Sequence, residues 1–483
     1  MIKYIKTSLI VSFLSPTFIA CNTIKAQNNL ISPNSLEWIN NVGAKKYPAL
    51  TKTFNVKDYG AVADGKTMNT IAIQKAIDAA EANGGGQVVF EKGQYLTGSV
   101  FIKNEVDFHI GEGVTLLGSQ NIKDYPEINT RVAGIEMLWP AALVNVIEQR
   151  NASISGNGVI FAQGKVFWDY YWKIRKEDYD PKGLRWIVDY DAKRARTILI
   201  SDSRDITLKD ITVQQAGFWT VQVLYSSYVT VDGITIQNNV GGHGPSTDGI
   251  DIDSSSWILV QNCDIDCNDD NFCLKAGRDW DGLRVNRPTE YVVIKDCIAR
   301  KGAGLLTCGS ETSGGIRHIY ASNISGMATS NCLNLKSAFT RGGTVEDIHL
   351  ENVTMDSVGT VLQVNMNWNP SYSYSTLPDG YDPQNIPPHW KKLLMQVKPE
   401  DGTPTFKDIY MKNIHVKGAR RAINVMGMEN SYLQNVHLDN VTIEAVTAGN
   451  IQYSKNWFLN NFSLKTKDNS KVSIKDSEDV IIP

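Results

Sequence analysis

The sequence predicts an all-β parallel β-helix, a solenoid in which short strands stack coil upon coil, and three observations lead there. A tetrapeptide recurs as Leu208-Lys209-Asp210-Ile211, Val231-Asp232-Gly233-Ile234, Val260-Gln261-Asn262-Cys263, Ile294-Lys295-Asp296-Cys297, Ala321-Ser322-Asn323-Ile324, Leu350-Glu351-Asn352-Val353, Met411-Lys412-Asn413-Ile414 and Leu438-Asp439-Asn440-Val441. Its third residues fall at 210, 233, 262, 296, 323, 352, 413 and 440, so successive spacings are 23, 29, 34, 27, 29, 61 and 27, with the 61 read as two coils carrying a loop. That third residue is always Asn, Asp or Gly, the types that tolerate a left-handed backbone where one strand bends into the next. A β-sandwich would place turn signals every 8–12 residues or so without repeating a tetrapeptide.

Residues 1–20 read as a signal peptide, because Lys3 and Lys6 precede an apolar run from Leu9 to Ala20 that is too short to span a bilayer. Phe18-Ile19-Ala20-Cys21 resembles a bacterial lipoprotein cleavage site, after which Cys21 would carry lipid; ordinary cleavage near Ala20 or Ala26 is the alternative. Either way the chain is expected to be exported, to the periplasm or to the outer membrane as an anchored lipoprotein. No later segment reaches transmembrane length. Residues 21–53 read as a leader or linker, poorly ordered from about residue 28, and 54–483 as a single β-helix domain, since solenoids escape the usual limit on domain length.

Within that domain Thr67 to Ala82 places Ile71, Ala72, Lys75, Ala76, Ala79 and Ala80 at helical spacing and ends at Asn83-Gly84-Gly85-Gly86, a short N-terminal helix that would cap the open end of the solenoid. Strands follow in Gln87–Phe90, Val106–Ile110 and Thr197–Ile200. Two insertions break the rhythm, Phe167–Arg196 and Trp368–Trp390, both rich in aromatic residues. They are expected to wall a cleft, stacking on sugar rings and pairing with uronate carboxylates, or else to cover the solenoid flank.

Six cysteines remain beyond Cys21: Cys263, Cys267, Cys273, Cys297, Cys308 and Cys332. Cys263, Ile265 and Cys267 alternate with Asp264 and Asp266, a period of two that points the thiols inward, so stacked free thiols are expected rather than disulfides or a metal site. With 42% hydrophobic and 20% charged residues and a net charge of −3, the chain is not a nucleic-acid binder; a polyanionic sugar remains possible because the potential of a cleft outweighs net charge.

The chemistry concentrates in Ser246-Thr247-Asp248-Gly249-Ile250-Asp251 and Asn268-Asp269-Asp270-Asn271. The interval 269 − 248 = 21 suits one coil, which puts the groups on neighbouring rungs roughly 4.8 Å apart. An acidic pair fits glycosidic hydrolysis, one carboxylic acid protonating the leaving oxygen and another carboxylate activating water. Crowded carboxylates repel, which holds one in the protonated form. The alternative is a calcium site made by Asp248, Asp251, Asp253, Asp269 and Asp270.

These residues resemble the polygalacturonase-like glycosidases, glycoside hydrolase family 28, over roughly Phe54 to the C-terminus. Phe54-Asn55-Val56-Lys57-Asp58-Tyr59-Gly60-Ala61 through Asp64-Gly65 is similar to the family's opening segment, and Gly217-Phe218-Trp219-Thr220 to its Phe-Trp-Thr strand. The resemblance implies a right-handed parallel β-helix, no cofactor and no metal. It also implies Asp269 as general acid, Asp248 and Asp270 as the pair that activates water, and inversion with acid and base about 6.5–9.5 Å apart. A bend or bulge is expected at Asp269-Asp270, because consecutive strand residues face opposite ways.

Two departures bear on substrate. The family's Gly-His-Gly becomes Gly302-Ala303-Gly304, and its Arg-Ile-Lys becomes Asn334-Leu335-Lys336, which keeps the lysine and loses the arginine. A leaving-group subsite without that histidine and arginine implies a neutral sugar such as rhamnose, hence cleavage of galacturonate–rhamnose bonds in rhamnogalacturonan, exo-acting given the long loops. The competing readings are a homogalacturonan polygalacturonase, a calcium-dependent pectate lyase and a non-catalytic pectin-binding protein. Lys336 is the first candidate for a carboxylate contact, then Lys275, Arg278, Arg317 and Arg341, with His243 of Gly242-His243-Gly244 able to line the site from its own loop. Gly309–Gly315 resembles a family segment whose expected role is turn geometry. The expected partner is a pectic oligo- or polysaccharide bound by a monomer.

Overall fold

Strands of four to eight residues alternate an inward apolar residue with an outward one, and stacking them in parallel joins the inward residues into a continuous core. The computed structural model describes residues 36–483; the segment 1–20 and Cys21 lie outside the described residues. After two short strands, Thr53–Asn55 and Asp64–Met68, that already stack in parallel on the next rung, α1 (Thr70–Ala82) buries Ile73, Ala76, Ile77 and Ala80. This face is offset from the one read in the sequence, and Ile71 stands 73% exposed. The helix starts at Thr70 because the Asn69 side chain is engaged with the backbone of Val62, Thr67 and Leu96.

One column of strands positions the site: β1 (Val144–Ile147), β2 (Ile198–Ser201), β3 (Val221–Leu224), β4 (Ile250–Asp253), β5 (Phe272–Lys275), β6 (Gly302–Cys308), β7 (Thr329–Lys336) and β8 (Thr360–Asn365). Each pairs in parallel with the next. Val144, Ile198, Val221, Ile250, Phe272, Leu306, Leu333 and Leu362 stack inward. On the outer face the same register aligns Gln222, Asp251, Cys273, Thr307 and Asn334. Two further columns of parallel pairings complete the coils, as in Thr207↔Thr230 and Val213↔Ile236. The architecture is the right-handed parallel β-helix.

All eight predicted turn residues, Asp210, Gly233, Asn262, Asp296, Asn323, Asn352, Asn413 and Asn440, have φ between 52° and 68°. Their amides also form a ladder, Asn352 donating to Asn323 at 3.1 Å, Asn413 to Asn352 at 2.8 Å and Asn440 to Asn413 at 2.9 Å. That ladder corrects the reading of the 61-residue interval. Asn352 and Asn413 are on adjacent rungs, since Glu351↔Lys412 and Val353↔Ile414 pair directly. The interval is therefore one coil, with β8 as its middle strand and the excursion 366–404 hung from it. The leader is also corrected: Gly43 N bonds Trp257 O at 2.9 Å, Ala44 N bonds Thr230 Oγ1 at 2.9 Å and Lys45 N bonds Asp205 Oδ1 at 2.8 Å, so these residues run along the coils. All six cysteines are buried free thiols, and Cys263 N lies 3.4 Å from Cys297 Sγ on the next rung.

Candidate active site

Asp248 precedes β4 and Asp269-Asp270 precede β5, so all three arrive on the outer face where two neighbouring coils enter the same column. Gly249 N to Asp270 O at 2.8 Å and Ile250 N to Asn271 O at 2.9 Å set Asp248 beside Asp270. Only glycine fits at 249, because a Cβ there would lie 2.4 Å from Asn271 O. Residues 268–271 form a bend ahead of the strand, and Asp270 N folds back to Asp269 Oδ1 at 3.0 Å, so both side chains reach one face. One oxygen from each of Asp248, Asp269 and Asp270 lies within 4.8 Å of the others. That is tighter than the separation of about 6.5–9.5 Å expected from inversion, but a water accepting and donating ordinary hydrogen bonds of about 2.7–2.8 Å still bridges two such oxygens.

The environments push these groups apart. Asp269 is raised, by burial first and then by the Asp270 charge. Burial works against ionisation of Asp270 as well, but Lys336 and Lys275 outweigh it and hold its carboxyl below the usual range. Lys336 Nζ donates to Asp270 Oδ2 at 2.8 Å and Thr307 Oγ1 to Oδ1 at 2.7 Å. Asp248 is raised well above the carboxylate range, by burial and then by Asp251. Asp251 is fully buried, with neither oxygen hydrogen-bonded. Lys275 serves three acids, Asp248 at 3.6 Å, Asp251 at 3.7 Å and Glu311 at 3.3 Å. Burial opposes ionisation of Glu311, yet Lys275 and nearby cations hold it at about 2. These two ammonium groups lie where a calcium ion would have to approach, and Asp253 is taken by Arg131 at 3.0 Å, so the donor set does not suit a hard cation.

Both insertions close over this floor. α2 (Lys165–Ile174) opens the first, which continues to Trp186, Ile187 and Tyr190; the second contributes Ile386, α3 (Pro388–Leu393) and Trp390. They pack together with Val132, Ile135 and Trp139 of the antiparallel hairpin Glu127–Val132/Ile135–Pro140. Trp186 and Trp390 meet at 5.4 Å, and Trp186 Nε1 bonds Thr376 O at 3.0 Å. Below the roof is a pocket of about 110 Å³ whose lining includes Ala133, Arg185, Asp189, Trp219, Glu311, Trp368 and Tyr372 besides the three aspartates and both lysines. Lys275 sits over the Trp219 ring at 4.8 Å and Lys336 over the Trp368 ring at 4.7 Å.

Comparison with known proteins places this pocket in a family. The model of Glycosyl hydrolases family 28 matches residues 92–386, well over half of the chain and all three aspartates. The chain belongs to this family. The Vitis vinifera protein named "Probable polygalacturonase" is 29% identical over 347 residues, covering 68% of this chain and 65% of that protein. The Dickeya chrysanthemi exo-poly-α-D-galacturonosidase is 26% identical over 418 residues, covering 78% of this chain and 65% of that protein. The chain thus spans a little under two thirds of the length of these two relatives. The crystal structure of a hyperthermoactive exopolygalacturonase from Thermotoga maritima superposes with a TM-score of 0.75 at 24% identity, covering 89% of this chain and 95% of that one, which shows the shared fold.

Of the basic residues predicted for the site of this family member, Lys336 and Lys275 line the pocket and the others do not. Arg278 is fully buried and saturated by Asp279, Tyr190 and the carbonyls of Tyr372 and Ser373. Arg341 is equally buried, paired with Asp279 and bonded to Ser310 O. Both brace the pocket wall from behind. Arg317 pairs with Glu290 on another column of the solenoid, facing solvent. His243 sits outside the pocket, stacked on Trp172 at 5.7 Å and 3.1 Å from Asn268 Oδ1. Sequence reasoning placed Arg185 in an insertion whose cations were expected to meet uronates without singling it out, and missed Asp189 of the same insertion and Glu311, whose segment was read as turn geometry; the one available signal was the density of aromatic and basic residues in the insertion.

Proposed function

We propose that the protein is an inverting, exo-acting galacturonidase that removes galacturonate from rhamnose-containing pectin. The observation that supports it most is the convergence of three aspartates from two adjacent rungs at the floor of a roofed pocket, one raised and one held ionised. Asp269, carrying a proton, donates it to the glycosidic oxygen as the bond breaks. Asp270, ionised against Lys336, takes the proton of the attacking water. Asp248, raised by burial and by the neighbouring Asp251, orients that water without adding a full second charge. The hairpin tip and the two docked insertions favour attack at a chain end over an open groove. A neutral leaving sugar is favoured because Asn334 turns to Thr307 Oγ1 at 3.4 Å and Lys336 is committed to Asp270, so neither offers a free cation to a second carboxylate. Export, with or without lipid at Cys21, fits a polysaccharide substrate; among the described residues no helix is long and apolar enough to cross a membrane.

The test is chromatography of products from homogalacturonan, rhamnogalacturonan-I and rhamnogalacturonan-II oligomers, with wild type and Asp269→Asn. Galacturonate released from a rhamnose-containing substrate alone, and abolished in the variant, is the expected outcome. Equal or faster cleavage of homogalacturonan overturns the leaving-group argument, and no hydrolysis of any of the three overturns the enzyme reading.

A further inference from the structure

A pocket that accepts galacturonate has to accommodate a carboxylate beside several of its own, which requires a cation not already consumed. Lys275 is divided among Asp248, Asp251 and Glu311, and Lys336 is bonded to Asp270. Arg185, from the first insertion, is different. Its side chain is 19% exposed and lines both this pocket and a neighbouring cleft with Arg175, Asp180 and Thr376, and among the described residues Asp189 is its one hydrogen-bond partner, through Nη1 at 2.5 Å. The guanidinium lies over the Tyr372 ring at 5.0 Å, which fixes its plane between the two insertions. Asp189 is buried and shared with Arg194 at 3.2 Å, so the trio of Arg185, Asp189 and Arg194 carries one net positive charge. The Nε–Nη2 edge of Arg185 is left open, a fork whose spacing matches a carboxylate.

We infer that Arg185 is the specificity-determining residue that reads the carboxylate of the galacturonate being released, gripping it through the Nε–Nη2 edge. Asp189, Arg194 and Tyr372 are its positioning partners, holding the fork still so that little side-chain freedom is lost on binding. The inference rests on the galacturonidase reading above and names the group that recognises its substrate.

The experiment measures kcat/KM for wild type, Arg185→Gln and Arg185→Lys on two rhamnogalacturonan oligomers, one ending in galacturonate and one with that terminal carboxyl reduced to the primary alcohol. Melting temperatures are taken for all three proteins. Wild type is expected to prefer the uronate; Arg185→Gln loses roughly 10- to 100-fold on the uronate, mostly in KM, with the reduced substrate nearly unaffected, and Arg185→Lys falls between because a point charge lacks the fork. If Arg185→Gln melts low, inhibition of Arg185→Lys by free galacturonate against galactose supplies the same comparison. A variant at unchanged melting temperature that keeps the wild-type preference overturns the inference while leaving the galacturonidase reading intact, as does a wild type that cleaves both oligomers equally. A wild type that cleaves neither overturns both.

Discussion

Replacing Lys336 by Met removes the ammonium 2.8 Å from Asp270 while keeping a similar volume over Trp368. The two side chains are 9% and 0% exposed, so this is a buried pair, and breaking one from a single side costs about 3–5 kcal/mol because the remaining charge is stranded. A chain of 483 residues melts with a large entropy, so the expected fall in Tm at pH 7 is on the order of 5 °C. The sign of the pH dependence follows from Asp270. Its folded pKa lies below the unfolded value of about 3.9, so its contribution is complete above that value and is lost as pH falls through the folded pKa. Without Lys336, burial dominates and the folded pKa rises. The deficit of Lys336→Met should therefore be full at pH 7 and shrink as pH falls through 4, where Asp270 takes up a proton and no longer needs the ammonium. Thermal unfolding of both proteins at pH 7, 5 and 3.5 reads this directly, and the acid limb of kcat/KM should move to higher pH in the variant. A Tm difference that is the same at every pH, or absent at pH 7, refutes the assignment of Asp270 as the ionised member.

Asp269→Asn should lower kcat by about 10²–10⁴ with little change in KM, and should keep Tm because Asn has nearly the shape of the protonated carboxyl and its Oδ1 still accepts from Asp270 N; a variant that loses Tm and keeps kcat would show that Asp269 is structural. Proton NMR of the first product formed should show the β-anomer of galacturonate, whereas initial α-anomer would mean that the carboxylate closeness within 4.8 Å serves a covalent intermediate. Gly134→Ala puts a Cβ 2.4 Å from Arg278 Cβ at φ +85°, so stability should fall by about 1–3 kcal/mol, seen as a lower Tm, and KM should rise as the hairpin tip moves; unchanged KM would separate the tip from the pocket. Trp390→Ala loosens the roof and should convert some exo cleavage to internal cleavage, visible as faster viscosity loss per reducing end than in wild type.

Most of the fold is written in single residues of the repeat. Asn, Asp or Gly at each third position specifies a left-handed turn, and the outward residues one coil apart fall into register because every coil re-enters the column through such a turn, although coil lengths vary. Where length varies, counting fails: the interval from Asn352 to Asn413 contains a helical excursion whose residues add to the spacing without adding a rung. The three aspartates were legible because they belong to the coils themselves. Arg278 and Arg341 were misread because sequence shows charge but not burial, and two guanidiniums sharing Asp279 behind the wall look the same in a sequence as two facing a substrate. Arg185 was hidden for the opposite reason. Its position depends on how two irregular insertions, 190 residues apart at Trp186 and Thr376, dock on one another, and no periodicity encodes that.

The charges in the pocket limit what can follow the scissile bond. Both lysines are spent inside the protein, which leaves the Arg185 fork as the open cation among the described residues that line the pocket. In homogalacturonan the leaving sugar brings a second carboxylate, and with no second cation it would approach the Asp270 charge and the developing charge on Asp269. Two like charges about 4 Å apart repel by about 4 kcal/mol at an effective dielectric near 20, which is close to a thousandfold in kcat/KM. Rhamnose carries no charge and meets no such repulsion. Restoring a cation at Asn334 should therefore improve cleavage of homogalacturonan without improving cleavage of rhamnogalacturonan, because the added charge interacts only with a carboxylate that a rhamnose leaving group does not have.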